Sequence, residues 1–304
     1  MNMNQTFKRF LIINLLLIAS FTAVYADEIY LKNGDKISGR ITQDQQDNIS
    51  IETEAMGLIE VKRDAIEHVI KAEKVVEQDT KNPKDITWKR EVALGYNYVT
   101  GNTRESQFSG SFLINRNNKH IDEWTAKGRV YYSSANRKTD AHKWYGMGRY
   151  AYSFGSMKRW YNFYRLEADH DRFADIDYRL VPAAGVGYWF YDLPKLKLLL
   201  EAAVGYEHTA YRSDIKDKGD WVFVPRAFFE KELFTNTKIT QDITFYPAFE
   251  DFSDYRLHSE TVLSIAMNHK LSLRLSLIDD YNSDPPIDTK DNDLRMISSL
   301  AYLF

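Results

Sequence analysis

The feature that most constrains this chain is a period-two alternation of apolar and polar residues that continues through most of its length. The clearest segment is 270–280, in which leucines alternate with polar residues: Leu271, Ser272, Leu273, Arg274, Leu275, Ser276 and Leu277. Successive side chains of a β-strand point to opposite faces. The segment therefore predicts a strand with one aliphatic face and one polar face. A soluble sandwich would bury the aliphatic face against a second sheet, whereas a membrane barrel would turn it toward lipid.

Strand and turn lengths favour the membrane barrel. Alternating segments occur at 88–99, 104–115, 121–134, 142–154, 160–171, 178–190, 196–210, 221–233, 237–249, 256–268, 270–281 and 292–304. Most are longer than the roughly 5–6 residues of an ordinary strand, and about 9–11 tilted residues cross a bilayer. The sequence thus predicts an all-β fold, an outer-membrane antiparallel β-barrel of about twelve strands.

The expected connections alternate in length, which is typical of such barrels. Short turns are expected at 117–120, 155–159, 193–195, 234–237 and His269, and longer loops at 134–141, 174–177, 213–220, 252–255 and 283–291, with a short exception at 100–103. Outer-membrane barrels have short periplasmic turns and longer external loops. The first and the last strand of the barrel are therefore expected to have their chain ends on the periplasmic side. Outer-membrane lipid is an expected partner.

The residues before the barrel predict export and a separate small domain. Lys8 and Arg9 precede an apolar run from Phe10 to Phe21, and Val24-Tyr25-Ala26 then provides a cleavage site, which indicates a signal peptide at 1–26. Short alternating segments at 27–70 predict a five-stranded SH3-like or Sm-like periplasmic β-domain, with a type I′ hairpin at Asn33-Gly34. Residues 71–87 are charged and predict a linker. The small domain is either a spacer or the binding site of a periplasmic partner.

Composition excludes several kinds of site. The chain has no cysteine, a net charge of −3 and seven scattered histidines. Thiolate chemistry is therefore excluded, nucleic acid is not an expected partner, and neither a metal site nor a cofactor is predicted. His258 and Ser259 are adjacent, so a strand would send them to opposite faces, and they cannot form a lipase-like dyad. No catalytic residues are predicted.

Charged residues on the predicted inner faces are the candidate lumen lining. Alternation assigns to the lumen Lys127, Arg129, Arg149, Arg165, Glu167, Asp169, Asp171, Glu201, Glu207, Arg226, Glu230, Glu232 and Arg274. Glu167, Asp169 and Asp171 share one strand face, and paired carboxylates can serve in acid–base catalysis. Mixed charge favours a network of ion pairs that fills the interior, with a solute-selective pore lining as the alternative.

The last strand carries a second specific pattern. Phe304 ends the chain, and Tyr302, Leu300 and Met296 lie on its face, interrupted by Ser298. A terminal aromatic residue that closes an alternating strand resembles the signal read by the barrel-assembly machinery. Phe304, Tyr302 and Leu300 are therefore predicted to form the assembly signal, with that machinery as a partner.

A family resemblance adds to these patterns. The segment 92–103, Val-Ala-Leu-Gly-Tyr-Asn-Tyr-Val-Thr-Gly-Asn-Thr, and the aromatic-terminated last strand resemble the YdiY-like, salt-induced outer-membrane proteins over about residues 88–304. Residues 29–39 resemble a small β-domain often joined to such barrels. The resemblance implies an outer-membrane location and a barrel with a domain of unknown function, and it implies no catalytic residue.

Three classes of function remain at this stage. The leading expectation is a non-enzymatic envelope protein, either a narrow passive channel or a structural barrel that responds to envelope conditions. A periplasmic interaction module anchored by a barrel is the second class. A lipid-modifying outer-membrane enzyme is the third and is disfavoured, because no nucleophile and base converge in the sequence.

Overall fold

The computed structural model describes residues 27–45, 47–53, 56–70, 86–99, 105–118, 121–136, 138–155, 158–286 and 289–304. The predicted signal peptide and nearly all of the predicted linker lie outside the described residues. The chain divides into two compact units, Met1–Lys81 and Asn82–Phe304. In the described segments, the two helical elements are single 3₁₀ turns, and no helix there has the length and apolarity to cross a membrane.

The first unit contains one five-stranded antiparallel sheet. Its strands are β1 (Asp27–Leu31), β2 (Lys36–Asp44), β3 (Asn48–Thr53), β4 (Gly57–Lys62) and β5 (Ile66–Ile70), in the spatial order β4-β3-β2-β1-β5. A meander whose last strand returns to the first forms a small curved sheet. Its inner face buries Ile29, Ile49, Ile51, Val61 and Ile66, so one aliphatic face provides the core.

The hairpin between β1 and β2 differs from the prediction. Gly34 has a φ of 91°, and it is the only turn residue here with a positive φ, so the turn is not type I′. The Gly34 N–H donates to the Leu31 carbonyl at 2.9 Å, and the Leu31 N–H donates to the Asp35 carbonyl at 2.9 Å. This is a three-residue loop closed by a left-handed glycine. The type I′ expectation failed because Lys32 belongs to the loop and not to the strand.

The second unit is a closed antiparallel barrel. Its strands are β6 (Ile86–Val99), β7 (Glu105–Asn118), β8 (Asp122–Ala135), β9 (Lys138–Phe154), β10 (Trp160–Asp171), β11 (Ile176–Asp192), β12 (Leu196–Tyr211), β13 (Lys218–Phe223), β14 (Arg226–Phe234), β15 (Thr237–Pro247), β16 (Tyr255–Ala266), β17 (Leu271–Asn282) and β18 (Asn292–Leu303). Apart from β13 and β14, which both pair with β12, each strand pairs with its sequence neighbours, and β18 pairs with β6 to close the sheet. Closure leaves no strand edge with unpaired backbone groups, which is necessary because the hydrocarbon of a membrane offers no hydrogen-bond partners.

The strands β13 and β14 are two halves of one barrel strand. Val204 pairs with Phe223 and Glu201 pairs with Arg226, so one unbroken register on β12 includes both halves. The interruption is Pro225, which accepts from the Phe245 N–H at 3.0 Å but has no N–H to return. The barrel therefore has twelve strand positions, and the predicted twelve-stranded all-β barrel is confirmed.

The two ends of the barrel differ in their connections. The terminus end holds the first residue of β6, the last residue of β18 and the connections β7–β8, β9–β10, β11–β12, β14–β15 and β16–β17. The loop end holds the remaining connections, of which 283–291 is long. The predicted long loop at 134–141 is wrong, because β8 and β9 continue to Ala135 and Lys138. Asn136 takes the left-handed conformation there, with a φ of 50°, which permits a tight turn despite the polar sequence.

The outward face is predominantly apolar and aromatic. Large exposed side chains include Trp88, Leu94, Phe112, Trp124, Val130, Trp144, Tyr164, Leu166, Val186, Leu200, Trp221, Leu275, Met296 and Leu300. Such a surface suits a hydrocarbon environment. An exception lies on β15–β17, where Gln241 donates to Ser259 at 2.9 Å and Thr261 donates to Gln241 at 2.5 Å. These three side chains hydrogen-bond to one another, which lowers the cost of placing polar groups on this face.

The chain terminus has few packing partners. Phe304 is 68% exposed, contacts the Tyr302 ring edge-on at 5.0 Å, and donates its N–H to the Arg90 carbonyl at 3.0 Å. We expect Phe304→Ala to lower the amount of assembled barrel while it changes the unfolding free energy by less than about 0.5 kcal/mol, as for exposed surface positions. The measurement is the heat-modifiable fraction in outer membranes, followed by urea unfolding of the purified barrel.

Phe234 provides a matched control for this prediction. It is 71% exposed and ends a barrel strand at the same end of the barrel, but it is not the chain terminus. Phe234→Ala should assemble normally. Equal assembly of the two variants, or an equal stability loss in both, would contradict a recognition role for Phe304.

Candidate functional site in the barrel lumen

The structure places most of the predicted lumen residues in two inward cavities. Cavity linings include Lys127, Arg129, Arg149, Arg165, Glu167, Asp169, Asp171, Arg226, Glu230 and Arg274. Glu207 lines a smaller cavity near the loop end, and Glu201 is covered by its ion-pair partners. Glu232 lies on the same strand face as Glu230 but lines none of these described cavities. Phe304, Tyr302 and Leu300 are exposed on the outward face.

A buried carboxylate joins three strands at the centre of the lumen. Glu201 on β12 has a fully covered side chain and accepts from Arg149 Nη2 at 2.6 Å and from Arg226 Nη1 at 3.0 Å. The Tyr161 hydroxyl donates to it at 2.9 Å. Gly187 permits this contact, because a Cβ at that position would lie 2.2 Å from the Tyr161 ring. One carboxylate therefore forms ion pairs with two arginines, on β9 and β14, which are not neighbouring strands.

A second arginine–carboxylate pair extends this network. Arg226 grips Asp242 side-on, with Nε 2.7 Å from Oδ1 and Nη2 2.9 Å from Oδ2. Bidentate pairs of this kind are strong and fix the planes of both groups. Arg226 is thus held from both sides by Glu201 and Asp242, and a contact between β12, β14 and β15 is fixed inside the barrel.

The loop-side part of the lumen repeats the arrangement. Arg256 grips Glu207 with Nε 2.8 Å from Oε1 and Nη2 2.5 Å from Oε2. Arg179 lies 3.3 Å from the same carboxylate and 3.5 Å from Asp169. Nearer the rim, Lys143 lies 2.5 Å from Asp171 and also pairs with Asp293. The three carboxylates on the inward face of β10 therefore each contact a basic side chain, since Glu167 also lies 2.8 Å from Arg165.

Several central lumen residues were missed by the sequence prediction. These are Tyr145, Asp242, Tyr246, Arg256, His258, Glu260 and Asp280, all of which line the cavities. Asp242 and Glu260 lie at even positions of predicted strands, so continuing the alternation along β15 and β16 would have found them. The sequence gives no comparable signal for Tyr145 and Tyr246, because an aromatic side chain in a barrel strand is more often found at the membrane interface.

The two cavities share part of their lining. The loop-side cavity has a volume of about 180 Å³ and the terminus-side cavity about 390 Å³. We call the residues that line both of them the lumen barrier: Lys127, Arg129, Tyr145, Met147, Arg149, Arg226, Asp242, Ile278 and Ile297. Tyr145 is central, because Lys127 Nζ and Arg129 Cζ each lie 5.6 Å from its ring centroid.

A loop narrows the loop-side mouth. Pro285, Pro286 and Thr289 of the 283–291 connection line the loop-side cavity. Lys218 ties this connection to another loop, because its Nζ lies 3.1 Å from Asp284 and 2.6 Å from Asp254. Exposed ion pairs of this kind are weak and are screened by salt.

His258 and Ser259 lie on opposite faces of β16, as the sequence predicted, and form no dyad. His258 faces the lumen, where its Nδ1 lies 2.6 Å from Asp280, and Ser259 bonds Gln241 on the outward face. Within the described ranges, no cluster of three or more His, Asp or Glu side chains is arranged to hold a metal ion.

These features define the class of protein: a twelve-stranded transmembrane β-barrel of the outer-membrane type with a lumen lined by charged side chains. Residues 92–304 match the family model described as "Protein of unknown function, DUF481", and the chain belongs to that family. It is 26% identical to the uncharacterized protein YdiY of Escherichia coli (strain K12) over 216 residues. This alignment covers 68% of this chain and 80% of YdiY.

Solved barrels show a weaker likeness. The NanC porin aligns with a TM-score of 0.41 and 13% identity, covering 70% of this chain and 98% of NanC. The KdgM porin aligns with a TM-score of 0.40 and 9% identity, covering 72% of this chain and 99% of KdgM. The translocator domain of the autotransporter NalP from Neisseria meningitidis aligns with a TM-score of 0.38 and 9% identity, covering 72% of this chain and 88% of that domain. Likenesses at this level say nothing about a ligand or an activity of this chain.

Proposed function

We propose that this protein is a narrow passive channel for small solutes, and that passage is controlled by side chains at mid-lumen. The observation that carries the proposal is the pair of cavities, lined by charged residues, that meet at the lumen barrier. A purely structural barrel has no need of two water-accessible chambers that face each other through movable side chains. Twelve strands give a barrel wider than the eight-stranded kind that side chains fill, yet narrower than open porins of about sixteen strands.

The charge of the lumen barrier supports a channel for polar solutes. It contains four cationic side chains, Lys127, Arg129, Arg149 and Arg226, and one carboxylate, Asp242. Carboxylates just beside the barrier hold two of these cations, since Glu201 pairs with Arg149 and Glu260 lies 3.1 Å from Arg129. A solute that crosses the lumen barrier must therefore pass close to both positive and negative side chains. Rings of charged side chains select solutes by charge and size.

The test is the conductance of the purified full chain in planar lipid bilayers. We expect wild type to give a small, resolvable unitary conductance, and we expect Tyr145→Ala to raise it about two- to threefold, because removal of the ring joins the two cavities into a wider path. Tyr145 is the barrier residue of choice because it forms no ion pair whose loss would unfold the barrel.

Tyr131→Ala is the matched control. Tyr131 is an inward tyrosine on the neighbouring strand β8, but it lines the loop-side cavity alone among the two large cavities. Its removal should leave the unitary conductance near the wild-type value. Folded barrels that carry no current in wild type and in Tyr145→Ala would contradict the channel and favour a structural barrel.

A further inference from the structure

We propose that the loop-side cavity contains a binding site for a small carboxylate-bearing solute, with Arg165 as the residue that grips the carboxylate. The inference names a solute class for the lumen and to that extent rests on the proposed channel. Binding itself requires no current, so the two proposals can fail separately.

Three lumen arginines provide an internal comparison. Arg226 and Arg256 each use the edge formed by Nε and Nη2 to hold both oxygens of one carboxylate, Asp242 and Glu207 respectively. The same two nitrogens of Arg165 have no hydrogen-bond partner among the described residues, and they are buried. The planar guanidinium edge is matched in shape to a carboxylate. The Nε and Nη2 edge of Arg165 therefore lacks the hydrogen bonds that the same edge makes in Arg226 and Arg256.

Burying this edge without hydrogen bonds costs folding free energy. The Arg165 side chain is 4% exposed, and buried donors without an acceptor lose the hydrogen bonds that water would give them. Buried polar atoms without partners are uncommon in folded proteins, and each calls for an explanation. Arg165 lines the loop-side cavity, which is the space from which an acceptor could reach it.

The surroundings of Arg165 contain both attraction and competition. Arg149, the cross-strand neighbour of Arg165, also points inward. The Cζ atom of Arg149 lies 5.2 Å from the centroid of the Phe163 ring, and Arg165 packs against the same ring. Glu167 Oε1 lies 2.8 Å from Arg165 Nε but without the geometry of a hydrogen bond. Its other oxygen, Oε2, accepts from the Tyr246 hydroxyl at 2.8 Å. Glu167 therefore balances the charge of Arg165 without filling its edge.

The arrangement indicates the chemistry of the solute. A carboxylate would take the Nε and Nη2 edge of Arg165, and a hydroxyl beside that carboxylate could donate to Glu167 Oε1. The planar guanidinium edge of Arg165 is matched in shape to a carboxylate, so it selects a carboxylate rather than a cation or a neutral polyol. A small hydroxy-carboxylate meets both requirements.

The experiment is isothermal titration of the detergent-solubilised full chain with gluconate at constant ionic strength. Sorbitol is the matched polyol without a carboxylate. We expect gluconate to bind and sorbitol not to bind. We expect Arg165→Lys to weaken gluconate binding by about tenfold or more, because lysine keeps the charge but has no planar two-donor edge.

Two further variants make the test specific. Arg274→Lys makes the same chemical change in the terminus-side cavity, where Arg274 pairs with Glu91, and it should bind gluconate like wild type. Glu167→Gln removes the competing charge; its amide oxygen can still accept from Tyr246, and its amide nitrogen can donate to the solute hydroxyl, which then accepts, so this variant should bind gluconate several-fold more tightly. A gain of affinity cannot arise from misfolding, so this variant decides the matter even if Arg165→Lys fails to assemble.

The outcomes separate the two proposals. Binding that depends on Arg165 in a barrel without conductance would sustain the site and overturn the channel. Conductance without gluconate binding, or equal binding by wild type and a folded Arg165→Lys, would overturn the site and leave the channel standing.

Discussion

Glu201→Gln is expected to destabilise the barrel by about 3–5 kcal/mol, the range seen when one partner of a buried ion pair is removed. The side chain keeps its size, so no cavity forms and the loss is electrostatic. Arg149 and Arg226, with side chains 8% and 16% exposed, would both lose their shared counter-charge. Asp242 would still hold Arg226, whereas Arg149 would keep only Glu123, 3.2 Å away.

The measurement is urea unfolding in lipid vesicles, followed by tryptophan fluorescence. Glu230→Gln is the matched control, because Glu230 is also an inward glutamate, but its nearest basic groups, Lys197 and Lys238, lie at 3.6 and 3.8 Å and have side chains 36% and 46% exposed. Solvent-exposed pairs contribute about 1 kcal/mol or less. Similar midpoints for the two variants would show that water enters the network around Glu201 and replaces the missing charge.

Gly95→Ala is expected to prevent closure of most barrels. A Cβ at Gly95 would lie 2.3 Å from the Ser298 carbonyl oxygen and 2.5 Å from Ser109 Oγ. The first of these contacts is with backbone, which cannot rotate away, so the strands must move apart. This happens beside the seam, where β18 and β6 are held by four paired positions, from Leu300 with Leu94 to Leu303 with Glu91.

The expected cost lies at or above the upper end of the roughly 1–3 kcal/mol typical of overpacked sites. The measurement is the fraction of protein that migrates as the compact, heat-modifiable form in outer membranes. Gly146→Ala is the control, because a Cβ there would meet nothing within 4 Å. It should assemble like wild type. Normal assembly of Gly95→Ala would mean that the seam between β6 and β18 is wider than the structure shows.

The local pattern of the sequence was sufficient for the architecture. Alternation in 270–280 defined β17 to within two residues at each end, and the same pattern predicted all twelve strand positions. This succeeded because the period of two is a property of the extended backbone itself. Turn chemistry was less reliable: the tight turn at Asn136 and the glycine loop at Gly34 both depended on one residue in a left-handed conformation.

Only the closed barrel decided which lumen charges meet. Arg149 and Glu201 are 52 residues apart and lie on β9 and β12, with two strands between them. Arg129 on β8 reaches Glu260 on β16 across the lumen, and Lys143 reaches Asp293 over a separation of 150 residues. Alternation states that these side chains point inward, but not at which height or across which diameter. Those depend on barrel closure, strand tilt and register, which arise from the whole sheet and leave no mark in any single strand.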